Sequence, residues 1–271
     1  MAVSVEREGA GASRSPVVDA LGRAWYRAAR FLVALVLLTV FRLEVEGREN
    51  VPGRGPVILA SNHSSLLDPP VVGVGCPRRV HFMAKEELFS SRPLGALLGS
   101  LGGFPVARGT ADRGALRTAR RLLDGGEVLG IFPEGKRGRG SLGEGEAGTA
   151  WLSVVTGSPV VPVAVIGTAG VLEDIISGIL PHLPLPPAGG KVGMGGSGGG
   201  PRWGAFRPKR ITVRFGSPIL PEDTEAGECP GDGRPAATGS YRRRERMTQT
   251  VMRGISELIG REETHEGETL G

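Results

Sequence analysis

Cysteine is nearly absent from this 271-residue sequence: Cys76 and Cys229 are the only two, with no CxxC pair and no Cys/His spacing. A disulfide or zinc scaffold is not required, because a chain of this length needs neither to bury a core. Two free thiols in a reducing compartment and no metal site are expected. Aromatic residues make up only 5%, and the basic stretches are not interleaved with them, which argues against a nucleic-acid partner. The apolar run from Phe31 to Phe41 would span about 16 Å as a helix, roughly half a bilayer core, so a full transmembrane crossing is not expected. Glu6 and Glu8 sit where a secretory leader would carry only positive charge.

What the chain does have is glycine and proline, 45 and 21 residues, which must concentrate in loops. It also carries a net charge of +5, from 33 Lys and Arg against 28 Asp and Glu. That balance favours anionic partners such as a membrane surface or a phosphorylated substrate. Residues 1–22 lack apolar period and read as a mobile arm. Residues 23–41 read as a membrane-interfacial helix: Arg23, Arg27 and Arg30 share one face, and Trp25, Tyr26 and the Leu/Val run supply an apolar surface. A buried core helix with an arginine-edged end is the alternative.

Residues 42–260 read as one domain. Short apolar runs at 56–61, 79–84, 127–132 and 159–166 look like buried strands, and RITVRFGSPI from Arg210 like a last one. Between them Leu94, Leu97, Leu98 and Leu101 form one helical face. Leu116, Ala119, Leu122 and Leu123 form another, with Asp112 as its cap and Gly125 as its stop. The fold class expected is α/β: a mainly parallel twisted sheet flanked by helices, with an N-terminal amphipathic interfacial helix, and with ligand groups on loops at strand ends. Residues 186–201 are a Gly-rich insertion. A C-terminal amphipathic helix carries Met247, Val251, Ile255 and Leu258 on one stripe. Its Arg cluster and the basic stretch Arg202, Arg207, Lys209, Arg210 and Arg214 face either anionic lipid or solvent. Residues 261–271 form an acidic tail. The GxSxG at Gly195–Gly199 lacks a strand before it and a helix after it. The GxGxxG at Gly138–Gly143 lacks an acidic residue at ribose-binding distance, so neither motif carries a site.

The chemistry concentrates where PVILAS runs into Asn62-His63-Ser64-Ser65-Leu66-Leu67-Asp68-Pro69. Five helical steps turn a side chain by about 140°, so His63 and Asp68 meet only across a turn, and Pro69 disfavours helix at Asp68. There Asp68 can fix the imidazole tautomer while the other ring nitrogen takes a proton from a hydroxyl. The pair reads as a serine-protease dyad without its serine nucleophile, so the attacking oxygen would belong to a substrate, as in acyl transfer to an alcohol. GGFPVAR, ending at Arg108, and FPEGKR, with Lys136 and Arg137, place cations beside glycines in loops, where they could converge on a phosphate.

These blocks resemble the glycerolipid acyltransferase family that includes 1-acylglycerol-3-phosphate acyltransferase. NHSSLLD is similar to its NHx4D block, GGFPVAR to its phosphate-binding block, FPEGKR to its FPEGTR block, and Val161-Pro162-Val163 to its later Val-Pro block, in the same order over about residues 30–220. The resemblance implies that His63 is the general base and Asp68 its orienting partner. It implies that Arg108, Glu134 and Arg137 bind the acceptor's phosphate and glycerol region, with Gly135 letting the loop approach closely. Lys136 stands in place of the usual threonine and retains phosphate-binding chemistry, and Ala107 replaces an often polar residue. Asn62, Phe104, Pro133, Val161 and Pro162 are the supporting positions of the four blocks. Glu134 could instead cap a turn or pair with an arginine.

The function expected is transfer of a fatty acyl group from acyl-CoA or acyl-carrier protein, a co-substrate rather than a cofactor, to the free hydroxyl of 1-acylglycerol-3-phosphate. The product is phosphatidic acid. Another lysolipid or a glycolipid as acceptor, or a non-catalytic anionic-lipid-binding module, are the alternatives. The expected place of work is a lipid surface at the cytoplasmic face of the membrane, with peripheral or monotopic attachment.

Overall fold

Every residue of Val57–Ser61 is buried in the computed structural model, as an aliphatic run must be when helices cover both faces of its sheet. The structure describes residues 16–107, 112–135, 142–143, 145–171, 209–222 and 236–268. Seven strands form one sheet: β1 (Arg42–Glu46), β2 (Val57–Ser61), β3 (Val80–Lys85), β4 (Gly103–Val106), β5 (Val128–Ile131), β6 (Val160–Ile166) and β7 (Arg210–Phe215). Their order is β1-β7-β6-β2-β5-β3-β4. All neighbours run parallel except β6 and β7, which are antiparallel. The mainly parallel sheet expected from the sequence is present, with this one reversed strand added.

The described helices are α1 (Pro16–Val40), α2 (Asp68–Gly75), α3 (Arg92–Ser100), α4 (Arg113–Asp124), α5 (Gly148–Thr156) and α6 (Ala236–Glu268). The twofold side-chain alternation of β2 divides the interior. Val57 and Leu59 point to the layer closed by Leu37 and Phe41 and by Val71 and Val72 of α2. Ile58 and Ala60 point to the opposite layer, closed by Ala119 and Leu123 of α4, Leu152 of α5, and Met247, Val251 and Ile255 of α6. The stripe foreseen on the C-terminal helix is therefore its docking face. The helix continues through the segment read as a tail, to Glu268.

Three local expectations are corrected. Helix α1 begins at Pro16, inside the segment read as an arm. Its two sides differ in burial. Leu37 packs in the core, whereas Phe31 and Leu32 are 70% and 61% exposed. Arg30 does not join Arg23 and Arg27 on an outer face, because its guanidinium donates to the carbonyls of Val74 and Cys76 and closes the C-terminal end of α2. Arg214 likewise leaves the basic stretch: it is buried, paired with Glu46 at 2.9 Å and bonded to the Leu258 carbonyl. Arg202, Arg207, Cys229 and the insertion 186–201 lie outside the described residues. Cys76 is buried, and burial pushes its thiol pKa up.

Asp112 caps α4 as expected, accepting from the N–H groups of Gly114 and Ala115 at 2.8 and 3.0 Å, and also from Ala107 N–H at 2.9 Å. The Ala107 bond, then the Ala115 bond, hold its carboxyl below the ordinary aspartate pKa. A depressed carboxylate stabilises the fold at neutral pH and loses that contribution as pH falls through its lowered pKa. Asp112→Ala is expected to lower the thermal midpoint at pH 7. The two melting curves should converge as the pH drops below the ordinary carboxylate range.

Candidate active site

The site is built on the carboxyl end of β2, where the chain leaves the sheet. Asn62 extends the ladder by one step with its side chain. Its Nδ2 donates to the Val165 carbonyl at 2.8 Å and its Oδ1 accepts from Val165 N–H at 2.7 Å, so the exit from β2 is fastened to β6. His63 follows, 6% exposed, and its Nδ1 lies 3.0 Å from Oδ2 of Asp68, which is 0% exposed. The intervening residues form the turn that brings the pair together. Oδ2 of Asp68 also accepts from the N–H groups of Ser64 and Ser65, each at 2.7 Å. Oδ1 accepts from the Thr168 hydroxyl at 2.6 Å.

Asp68 is not in the turn itself but is the first residue of α2. Pro69 does not prevent this, because Leu67 is the cap and the prolines fall in the first turn, where their missing N–H groups have no helical partner to lose. The carboxylate is thus held by the start of a helix and by the turn that precedes it. Because a carboxylate only accepts, Nδ1 carries the imidazole proton, and the basic lone pair lies on Nε2.

The ring of His63 stacks on Phe132, with centroids 4.2 Å apart and planes at 26°, and Phe132 in turn lies 6.1 Å from the ring of Phe82. Phe132 leads into the second element of the site. There Glu134 is buried, and both of its oxygens are taken by backbone: Oε1 accepts from His63 N–H and Oε2 from Gly143 N–H, each at 3.0 Å. The carboxylate therefore ties the two loops together. Of the roles considered for Glu134, capping a turn is the nearest to this geometry, in which the carboxylate anchors backbone N–H groups of two loops. Gly135 has φ +65°, and a Cβ there would run into the Glu146 carboxylate, so the tight loop requires glycine. Pro133 accepts from Glu146 N–H at 2.8 Å and closes the same loop.

Beside this cluster a cleft of about 360 Å³ opens between the sheet, α4 and α5. Met83, Val106, Leu116, Ile131, Phe132 and Leu152 give it apolar walls, and Asp112 and Glu146 add carboxylates to its lining. Phe132 is common to the cleft and the His63 stack. Phe104 is packed in the core beside α4 rather than in this cleft. Val161 is core, and Pro162 accepts from Gly216 N–H at 2.8 Å. Arg108, Lys136 and Arg137 lie outside the described residues. His81 is half-buried, 3.6 Å from Glu127, and burial holds its pKa below the usual histidine value.

Sequence reasoning missed Thr168 and the stacking part of Phe132. Phe132 stood in a quoted motif, but nothing in its spacing marked it as a partner of His63. Thr168 follows β6 in a Gly-Thr-Ala-Gly turn without any signal of its own.

The family model described as Acyltransferase matches residues 42–166. The matched segment is a little under half of the chain and holds β1 to β6 with the His63–Asp68 pair. The chain is 38% identical over 96 residues to the 1-acyl-sn-glycerol-3-phosphate acyltransferase of Bacillus subtilis (strain 168), a match covering 35% of this chain and 48% of that protein. It is 28% identical over 158 residues to the chloroplastic enzyme of the same name, LPAT1, of Arabidopsis thaliana, covering 57% of this chain and 44% of that one. The chain thus spans about half the length of these curated relatives. Among solved structures, the 1-acyl-sn-glycerophosphate (LPA) acyltransferase PlsC from Thermotoga maritima is similar in fold to this chain. The TM-score is 0.59 at 23% identity, over 89% of this chain and 82% of that one.

Proposed function

We propose that the chain is an O-acyltransferase that moves a fatty acyl group from a thioester to the free hydroxyl of 1-acylglycerol-3-phosphate. The observation that carries this reading is the buried His63–Asp68 pair with Nε2 left as the base. Nε2 takes the proton of the acceptor hydroxyl as its oxygen attacks the thioester carbonyl. The tetrahedral intermediate then collapses, the carbon–sulfur bond breaks, and the proton passes from the imidazolium to the leaving thiolate. No nucleophile of the protein is needed, and the hydroxyl of the adjacent Ser64 is engaged with Thr168 rather than with the imidazole. The apolar cleft that shares Phe132 with the imidazole supports a donor carrying a hydrocarbon chain.

Arg108, Lys136 and Arg137 are proposed to hold the acceptor's phosphate, as the motifs that contain them suggest. Arg108→Ala is expected to raise the KM for lysophosphatidic acid at least tenfold while leaving the KM for the thioester within about twofold. Steady-state kinetics with each substrate varied in turn measure both. Profiling the products formed from a mixed pool of acceptors by mass spectrometry, with one long-chain acyl-CoA, tests the acceptor. A dominant product other than phosphatidic acid would move the assignment to another lysolipid or a glycolipid. A protein that binds anionic vesicles but turns over no thioester would be a lipid-binding module instead.

Peripheral attachment at the cytoplasmic face, where the thioester donors are found, accompanies this proposal. Among the described residues no helix is long and apolar enough to cross a membrane. The outer face of α1 nevertheless exposes Phe31, Leu32, Leu35 and Leu38, and Leu94 and Leu97 of α3 are exposed as well. Trp25 donates to Ser100 at 2.9 Å and links the two helices. Patches of this kind mark interaction surfaces, and Arg23 and Arg27 suit anionic headgroups. Exchanging Phe31, Leu32 and Leu35 for serine is expected to release the protein from vesicles containing anionic lipid, read by co-sedimentation. Leu37 and Phe41 are left in place because they belong to the core.

A further inference from the structure

We infer that Thr168 is a positioning residue of the reaction, the third member of a His63–Asp68–Thr168 chain. The inference rests on the acyl-transfer reading above and adds a residue just beyond the segment that the family model matches. Oδ2 of Asp68 is already shared by His63 Nδ1 and the N–H groups of Ser64 and Ser65. Oδ1 faces the other way and receives the Thr168 hydroxyl at 2.6 Å, in a site where both residues are 0% exposed. Bulk solvent therefore does not compete for that oxygen.

A hydroxyl has one proton to donate. Since the Thr168 proton goes to Asp68, the 3.0 Å contact between Ser64 Oγ and Thr168 Oγ1 has Ser64 as its donor. Ser64 thus donates to Thr168 and Thr168 to Asp68, which also accepts from His63, so the donors converge on the carboxylate, and such networks polarise their members cooperatively. Its effect is geometric as well as electrostatic. A carboxylate held on one oxygen can swing about its Cβ–Cγ bond, whereas one held on both presents Oδ2 to the imidazole at a fixed angle. Among the described residues, the charged groups hydrogen-bonded to His63 are Asp68 on the ring and Glu134 on the backbone N–H.

Thr168 is also delivered by the fold rather than by local sequence. It lies 100 positions from Asp68, at the end of β6, the strand to which Asn62 fastens the exit of β2. Gly167 before it has φ +85°, and a Cβ there would collide with the Arg210 carbonyl, so the turn that aims the threonine is tightly packed against β7.

The test is a double-mutant cycle on the full chain with acyl-CoA and lysophosphatidic acid. Thr168→Val keeps the shape and removes the hydroxyl. It is expected to lower kcat about 10- to 100-fold, the range for a buried hydrogen bond to a charged group, with both KM values within about twofold. Thr168→Ser should restore kcat to within about threefold. In an Asp68→Asn background the same Thr168→Val exchange should change kcat by less than about threefold, because the carboxylate through which the hydroxyl acts is gone. An equal loss in both backgrounds, or a wild-type kcat for Thr168→Val, overturns the inference. Should Thr168→Val fail to fold, Thr168→Ala runs the same cycle, with thermal melting as the control. Loss of activity in His63→Ala alongside full activity in Thr168→Val would sink this inference alone, whereas an active His63→Ala would sink the acyl-transfer mechanism beneath it.

Discussion

His63→Ala is expected to lower acyl transfer by at least about 10³-fold, to the background of a bound but unassisted pair of substrates, while the protein stays folded. General-base assistance contributes about 10² to 10⁴. Within the dyad the imidazole is the group left to take the proton, since Asp68 is saturated by its own donors. The fold should survive because His63 lies on the turn after β2, stacked on Phe132 rather than inside either core layer. Its backbone N–H keeps its bond to Glu134 whatever the side chain. Asp68→Asn separates the two parts of the dyad. An amide oxygen in the place of Oδ2 can still accept from Ser64 and Ser65, and its NH₂ can donate to the Thr168 hydroxyl, so the turn is preserved. What is lost is the negative charge that stabilises the imidazolium, and a loss of the order of 10³ to 10⁴ in kcat is expected. Radiolabelled acyl transfer under saturating substrates, with circular dichroism and melting temperature as folding controls, measures both variants. Wild-type turnover in either would remove the dyad from the mechanism.

How much of this could be read from the sequence depends on whether the information was local. The strand β2 and the motif at its end were legible because a fully buried parallel strand is a continuous apolar run, and because His63 and Asp68 are close enough for one turn to join them. The helix α2 was hidden by Pro69 and Pro70, which read as breakers although they occupy the one turn that tolerates them. The strands β1 and β4 were missed for a related reason. RLEVE is mostly charged and GFPV contains a glycine and a proline, the marks of sheet edges, and both strands are indeed at the edges. The outer face of α1 was visible as an apolar run, but its division into a core side and an exposed side was not, because a short Leu/Val run has no polar residues to mark the boundary. Thr168 and the anchoring bonds of Glu134 were invisible in principle. Each is a contact between loops that only the sheet order β6-β2-β5 makes neighbours.

Glu134→Ala is expected to lower kcat about 10- to 100-fold while the KM for the acceptor stays within about twofold, and to lower the thermal midpoint as well. The side chain spans from His63 N–H to Gly143 N–H, so its removal takes an acceptor away from two backbone donors at once. A buried donor left without an acceptor is destabilising by about 1–3 kcal/mol, and one of these two carries the imidazole. With that tie gone, His63 is held by its stack on Phe132 and its bond to Asp68 alone, and small misplacements of a base reduce turnover steeply. Had Glu134 instead gripped the acceptor's glycerol, the same exchange would raise KM and leave kcat at saturation nearly unchanged. Glu134→Gln sharpens the distinction. Its amide oxygen can still accept from His63 N–H, but its NH₂ would face the Gly143 N–H, donor against donor. The glutamine variant should therefore recover most of kcat but little of the lost thermal midpoint. A variant that recovers neither, with acceptor KM raised in both exchanges, would return Glu134 to substrate binding.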